Sequence, residues 1–146
     1  ERVLEAMLEA QGVEGMPQQA VGPYNCDLGA FPVAVEIFGG NWHWYGRHAA
    51  RTPKRIRYFM DRGWHILMVF VNPSLGWPLT SEVGDYVAAY IKRARSNPTE
   101  IREYRVVRGA GKTLSSGRAD DDEISIEWAF TNRRNPVTGR YESVPR

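Results

Sequence analysis

The sequence predicts an α/β domain built around a mixed central sheet. The run WHILMVFV at residues 64–71 is continuously apolar, which is typical of a central strand covered on both faces. The segments YNCDLG and VAVEIF lie on either side of AFP and predict an antiparallel hairpin. These strands alternate with amphipathic helices, so the expected order is αββαβα followed by β strands.

Three helices are predicted from apolar positions that recur every three to four residues. The second contains Pro53, so an alternative start places Thr52 as its N-cap and Pro53 in its first turn. Ser81 is expected to cap the third. The predicted helices span residues 1–12, 47–62 and 81–96. The stripe expected to be buried comprises Ala49, Pro53, Ile56 and Met60 in the second helix, and Val83, Val87, Tyr90, Ile91 and Ala94 in the third.

The remaining segments are predicted to be loops and a C-terminal β-hairpin extension. Residues 13–23 are rich in Gly and Pro and are expected to form a loop. After Pro98, REYRVV and EISIEWAF alternate like an antiparallel pair joined by a Gly-, Ser- and Asp-rich linker. We therefore expect a core at residues 1–97 and a β-rich extension at 98–146.

Composition limits the classes of function. The single cysteine, Cys26, excludes an intramolecular disulfide and a cysteine-rich zinc site, and it favours a reducing, cytoplasmic setting. No apolar run approaches the roughly 20 residues that span a bilayer, so no membrane partner is expected. Between Arg47 and Arg62, six Lys or Arg residues stand against one acid. That patch indicates a polyanion-binding surface, with a solvated helix face as the alternative.

Two carboxylates mark the predicted hairpin. Asp27 lies on its first strand, and Glu36 is the lone acid in an apolar second strand, where burial is costly without a partner or a cation. Carboxylates on adjacent strands suit Mg²⁺, which prefers oxygen ligands. His43 follows the second strand and can accept a proton from a water near neutral pH. Taken singly, Asp27 could cap a turn and His43 could pack among aromatic residues.

The hairpin, the segment VAVEIFGGNWH and the basic stretch after it resemble the very-short-patch-repair endonucleases. They also resemble the related phage and intron homing endonucleases, which carry an E-D-x-H-D signature within the PD-(D/E)XK nuclease class. The resemblance covers about residues 1–71. It implies a restriction-endonuclease-like fold and Mg²⁺-dependent hydrolysis of double-stranded DNA, with Mn²⁺ as a substitute, in a bacterial or phage-infected cell.

The resemblance also implies a role for each residue of the site. Asp27 would bind the metal, together with Glu36 or a backbone carbonyl near Ile37. His43 would be the general base, and Glu1 would be the helical acid of the signature. DNA contacts would come from aromatic and basic residues: Trp42, Trp44, Arg47, His48, Arg51, Lys54 and Arg55.

The sequence departs from the family pattern in three ways. Phe38 stands where a regular (D/E)XK site has Lys, so His43 must do that work. No acid occurs between Glu36 and Asp61, so the last Asp of the signature has no counterpart; either His48 or Arg47 fills its place or the role is absent. The repair enzymes carry a structural zinc site with several His and Cys ligands, which this sequence, with one Cys, cannot form. A non-catalytic DNA-binding module on the same fold and a mismatch-repair nicking endonuclease therefore stay open as alternatives, and a homodimer is compatible with the sequence.

Overall fold

The computed structural model describes residues 1–38, 46–71, 73, 76–124 and 130–145, with only the backbone at 46–50, 130–134 and 141–145. The helices and strands follow one another along the chain as α1 (Arg2–Glu9), β1 (Met16–Val21), β2 (Tyr24–Ala30), β3 (Val33–Phe38), α2 (Gly46–Asp61), β4 (His65–Phe70), α3 (Ser81–Ser96), β5 (Glu103–Arg108), β6 (Lys112–Arg118), β7 (Phe130–Arg134) and β8 (Tyr141–Pro145).

A six-stranded mixed sheet forms the centre of the molecule, with its strands in the order β1-β2-β3-β4-β5-β6. The middle strands β3, β4 and β5 are parallel, and antiparallel pairs flank them on both sides. Every residue of β4 is buried, because this strand has a partner on each side and a helical layer over each face. The predicted α/β class, mixed sheet and central strand are confirmed.

Helices α1 and α3 cover one face of the sheet. Leu8 of α1 and Ile91 of α3 pack with Leu67 of β4 in one buried cluster. The two helices approach closely at Gly84, where an added Cβ would lie 2.8 Å from the Met7 sulfur. The apolar stripe predicted for α3 is confirmed, since all its members are buried: Val83, Val87, Tyr90, Ile91 and Ala94.

Helix α2 covers the opposite face. Ile56 and Met60 are buried as predicted, and Phe59, which the predicted stripe omitted, is buried beside them. Pro53 is only half-buried, and the side chain of Ala49 lies outside the described residues. The helix continues through Thr52 and Pro53, so the alternative start at Thr52 is wrong. In the part of the chain that the structure describes, no helix combines the length and the apolar character needed to cross a membrane.

Strand β1 lies in a segment predicted to be a loop, and that prediction is wrong. It pairs antiparallel with β2, from Met16 opposite Gly29 to Val21 opposite Tyr24. Only the last residue of β1 is buried, because the strand lies at the edge of the sheet. Because β1 is held by backbone hydrogen bonds rather than by buried side chains, its sequence shows almost no alternation of apolar and polar residues.

The predicted hairpin between REYRVV and EISIEWAF is also wrong. Strand β5 covers most of REYRVV, but its two edges pair with β4 and β6. Strand β6 comes from the segment predicted to be a linker, and the polar tail forms the separate pair β7-β8. Residues 125–129, within EISIEWAF, lie outside the described residues. The domain boundary after residue 97 stays a prediction, and the central sheet continues across it.

Candidate active site

Strands β2 and β3 diverge at Asp27. Their regular pairing ends with Leu28 opposite Val35, one position before Asp27 is reached. The Asp27 carboxylate lies between the strands beyond this pair, and its Oδ2 accepts a hydrogen bond from the Ile37 backbone N–H at 2.7 Å. A side chain thus replaces a backbone partner, which fixes the orientation of the carboxylate.

The strand also changes face at this point. Cys26 packs in the cluster under α2, whereas Leu28 packs in the cluster under α1 and α3. Residues two apart in a regular strand face the same side, so β2 is twisted at Asp27. The neighbouring β1 is irregular at the same level, where Gln18 has a φ of 51°. Local irregularities of this kind redirect side chains and are common beside active sites.

Glu36 lies on the next strand and is buried against α2. Its Oε1 accepts a hydrogen bond from Nη2 of Arg55, with which it forms an ion pair. The same guanidinium donates to the Asn25 backbone carbonyl at 2.6 Å. Its Cζ lies 5.5 Å from the centre of the Tyr24 ring and 5.6 Å from that of Phe59. Arg55 therefore ties α2 to two strands at the predicted site.

Burial raises the pKa values of two side chains at this site, Glu36 and Cys26. Removal from water raises the pKa of Glu36 to about 7; the Asp27 carboxylate adds to the shift and the Arg55 guanidinium opposes it. Glu36 therefore exchanges its proton near neutral pH. Burial, reinforced by Glu36, also raises the pKa of Cys26 to about 12. The thiol is protonated at neutral pH and is no candidate nucleophile.

Glu1, the predicted helical acid, immediately precedes α1. Its two carboxylate oxygens accept hydrogen bonds from Nε2 of Gln18, at 3.0 and 3.1 Å. Gln18 stands level with Asp27 in the pairing of β1 with β2. Gln18 was not predicted as a site residue, because a polar residue in a predicted loop carries no signal of its own.

The other predicted site residues differ in how far the structure describes them. Arg51 and Lys54 are exposed on α2. Ile37 donates its N–H to Asp27, and a role for its carbonyl as a metal ligand stays a prediction. The predicted general base and two predicted aromatic DNA contacts lie outside the described residues: His43, Trp42 and Trp44. The same is true of the side chains of two residues near the start of α2: Arg47 and His48.

The carboxylate oxygens of Asp27 and Glu36 are ligands of the kind that a hard cation prefers. Magnesium is held in proteins by one or two carboxylates and retains several waters, so it does not need a cage of side chains. Within the described ranges, no three or more His, Cys, Asp or Glu side chains are grouped closely enough to hold a metal ion. Two carboxylates fit Mg²⁺ or Mn²⁺ better than a softer metal that requires several His or Cys ligands.

The chain resembles a known protein in its structure. No protein-family model matches the chain, and no curated protein matches it. Among solved structures, the chain is similar to one titled "Homing Endonuclease I-Bth0305I Catalytic Domain", with a TM-score of 0.47 and 14% sequence identity. The similar region covers 68% of this chain and 95% of that chain.

Proposed function

We propose that this chain is a metal-dependent endonuclease that hydrolyses phosphodiester bonds in double-stranded DNA. The observation that carries the proposal is the placement of Asp27 and Glu36 on adjacent strands just beyond the last regular pair of β2 and β3, with Glu36 paired to Arg55 of the basic helix α2. Carboxylates on two strands offer ligands to a divalent cation, and exposed cations on α2 offer contacts to a phosphate backbone. The sequence resemblance favours a homing or phage-type enzyme within this class.

Each acid and His43 would have a distinct role in hydrolysis. Asp27 and Glu36 would hold Mg²⁺ or Mn²⁺ together with a carbonyl near Ile37, and Glu1 would be the third acid. When bound, the ion supplies charge stabilisation at the phosphate and lowers the pKa of a water. Asp27 is already oriented by the Ile37 N–H, so one ligand needs little rearrangement. His43 would accept the proton of the attacking water.

Arg55 is the basic residue that we assign to the developing charge on the phosphate. Its guanidinium is paired with Glu36 and therefore lies within the site rather than on the outer surface of α2. With DNA bound, the same group would donate to a phosphate oxygen, while Glu36 turns to the metal. Arg55 would exchange its Glu36 partner for that oxygen, and a charged donor at this position would stabilise the negative charge that develops in the transition state.

A non-catalytic DNA-binding module on the same fold is the second candidate. The ion pair favours it, because Arg55 already provides Glu36 with a cationic partner and a hydrogen bond. In that case Glu36 and Arg55 would stabilise the packing of α2 on the sheet, and the exposed cations of α2 alone would contact DNA.

Cleavage of supercoiled plasmid separates the two candidates. We expect the wild-type protein to nick or linearise plasmid with Mg²⁺ or Mn²⁺ and to be inactive with EDTA. Asp27→Asn should abolish cleavage and retain DNA binding, since it removes a metal ligand and a negative charge. Asp61→Asn is the matched control, because Asp61 is exposed at the end of α2. A wild-type protein that binds plasmid but leaves it intact with both ions would refute the nuclease proposal.

A further inference from the structure

Gln18 adopts a backbone conformation that is unusual for its residue type. Its φ of 51° lies in the left-handed region, and among the described residues it is the one non-glycine with a positive φ. Residues other than Gly, Asn and Asp rarely adopt this backbone conformation. Strained residues of this kind persist where the surrounding structure determines them, and they are concentrated at functional sites.

The position of Gln18 connects this strain to Asp27. The pairs Pro17–Leu28 and Gln19–Cys26 lie on either side of it, so Gln18 stands level with Asp27. The irregular backbone places the side chain of the next residue, Gln19, over Gly29 of β2. A Cβ added at Gly29 would lie 2.5 Å from the Cβ and Cγ of Gln19. The glycine at position 29 thus makes room for the irregularity.

The side chain of Gln18 contacts the third predicted acid. Its amide Nε2 donates to both carboxylate oxygens of Glu1, at 3.0 and 3.1 Å. Glu1 lies at the start of α1, which is anchored under the sheet through the fully buried Leu4 and Leu8. An anchored helix and a strained strand therefore meet through one amide, at the level of Asp27.

We propose that Gln18 is a positioning residue for the active site, whose left-handed backbone directs its amide to Glu1 and fixes that carboxylate beside the edge strand, at the level of Asp27. The inference rests on the proposed function, because Glu1 matters only if the acids act together. In this role Gln18 would act through Glu1. It determines where the third acid stands when a cation binds.

Gln18→Gly tests the proposal, because it removes the amide and leaves the left-handed backbone accessible. We expect its thermal midpoint to be equal to or above that of the wild type, since glycine adopts a positive φ without steric cost. Mn²⁺ binding, measured from the free-ion signal in electron paramagnetic resonance, should weaken by about tenfold, as for other lost partners of a metal ligand. Plasmid cleavage at limiting Mn²⁺ should fall in parallel.

Two further variants make the result specific. Glu1→Gln should weaken Mn²⁺ binding to a similar extent, and the double variant should be no weaker than Glu1→Gln alone, because both changes remove one interaction. Gln19→Ala is the matched control, because this neighbouring amide donates to the Ala20 carbonyl instead. It should bind Mn²⁺ as the wild type does.

Several results would overturn the inference. Wild-type Mn²⁺ affinity in Gln18→Gly would do so, whether or not its thermal midpoint changes, and so would losses that add in the double variant. A wild-type protein that binds no Mn²⁺ would also overturn it. If the wild type binds Mn²⁺ but cuts no DNA, the proposed nuclease function fails, and the Mn²⁺ affinities still decide whether Gln18 positions Glu1.

Discussion

Glu36 is the residue at which burial and charge oppose each other within the site. Burial favours its neutral form, and the Arg55 guanidinium favours the carboxylate, with the net result that its pKa rises to about 7. By linkage, the neutral form contributes stability that is complete below the ordinary pKa of 4.5 and is lost as the pH rises through about 7. A cation that binds the carboxylate must compete with both a proton and Arg55.

This competition predicts that the apparent affinity for Mg²⁺ rises with pH across neutrality. Because the pKa of Glu36 is about 7, one competing proton changes the affinity by about tenfold in total between about pH 6 and 8, and the affinity levels off at higher pH. Glu36→Gln should weaken Mg²⁺ binding and flatten this dependence, as measured by Mg²⁺ titrations of the cleavage rate at each pH. A variant that keeps the wild-type slope would show that another group titrates.

His43 provides the comparison for that experiment. His43→Ala should lower the cleavage rate at saturating Mg²⁺ by roughly 10²–10⁴, the usual contribution of a general base. It should leave the pH dependence of Mg²⁺ affinity in place, because Glu36 is unchanged. The two residues are therefore distinguished because His43→Ala changes the cleavage rate, whereas Glu36→Gln changes the affinity for Mg²⁺ and its pH dependence.

The pairing of Glu36 shows how far the site could be predicted from sequence. A lone acid in VAVEIF must have a partner or a cation, and that requirement was visible in the sequence. The identity of the partner was not visible. Arg55 lies 19 residues away on another element, and its contact depends on where α2 crosses the sheet. No local spacing encodes that crossing.

At the scale of elements, the basic residues of α2 divide by what they contact. Arg55 pairs with Glu36, and Arg57 donates to two backbone carbonyls that follow β6. Arg51 and Lys54 are exposed. The basic patch recognised in the sequence therefore has a structural part and an exposed part, and the exposed part is suited to contact phosphate groups.

Charge reversal at Arg51 and Lys54 should weaken binding to all DNA sequences alike. Each lost phosphate contact should reduce the slope of log K against log salt by about 0.9, which fluorescence anisotropy at several salt concentrations can measure. The matched control reverses two cations exposed elsewhere on the surface, Lys92 and Lys112. An altered sequence preference would mean that the α2 residues contact bases, and an equal loss in the control would contradict a localised DNA surface.

The elements that the sequence predicted are those with an apolar period. Strand β4 and helix α3 bury side chains at regular spacing, so their patterns survive in the sequence. The edge strands β1 and β6 are held mainly by backbone hydrogen bonds, and few of their side chains are buried. Their sequences, MPQQAV and KTLSSGR, therefore lack the alternation by which strands are recognised.

At the scale of the whole molecule, the central sheet joins both sides of residue 97. Strand β5 contributes Tyr104 and Val106 to the cluster under α2, and Val107 to the cluster under α1 and α3. The Tyr90 hydroxyl of α3 donates to Glu103 of β5 at 2.7 Å. Strands β7 and β8 form a separate two-stranded sheet. The first two C-terminal strands thus belong to the packing of the core.

Truncation after residue 97 should therefore abolish cooperative folding. Each large side chain lost from the core removes about 1.5–3 kcal/mol, so losing three approaches the typical total stability of about 5–15 kcal/mol. Truncation after residue 124 removes β7 and β8 but keeps the six-stranded sheet, and it should unfold cooperatively in circular dichroism. A folded and active 1–97 fragment would instead support the boundary predicted from sequence.

A crystal structure with Mn²⁺, with data collected at the manganese absorption edge, tests the central claim most directly. We predict an anomalous peak at about 2.1 Å from oxygens of Asp27 and Glu36, close to the distance expected for a small hard cation. Arg55 should then have left Glu36. A structure at saturating Mn²⁺ with no peak between these carboxylates and an intact Arg55–Glu36 pair would contradict the assignment of a metal-dependent active site.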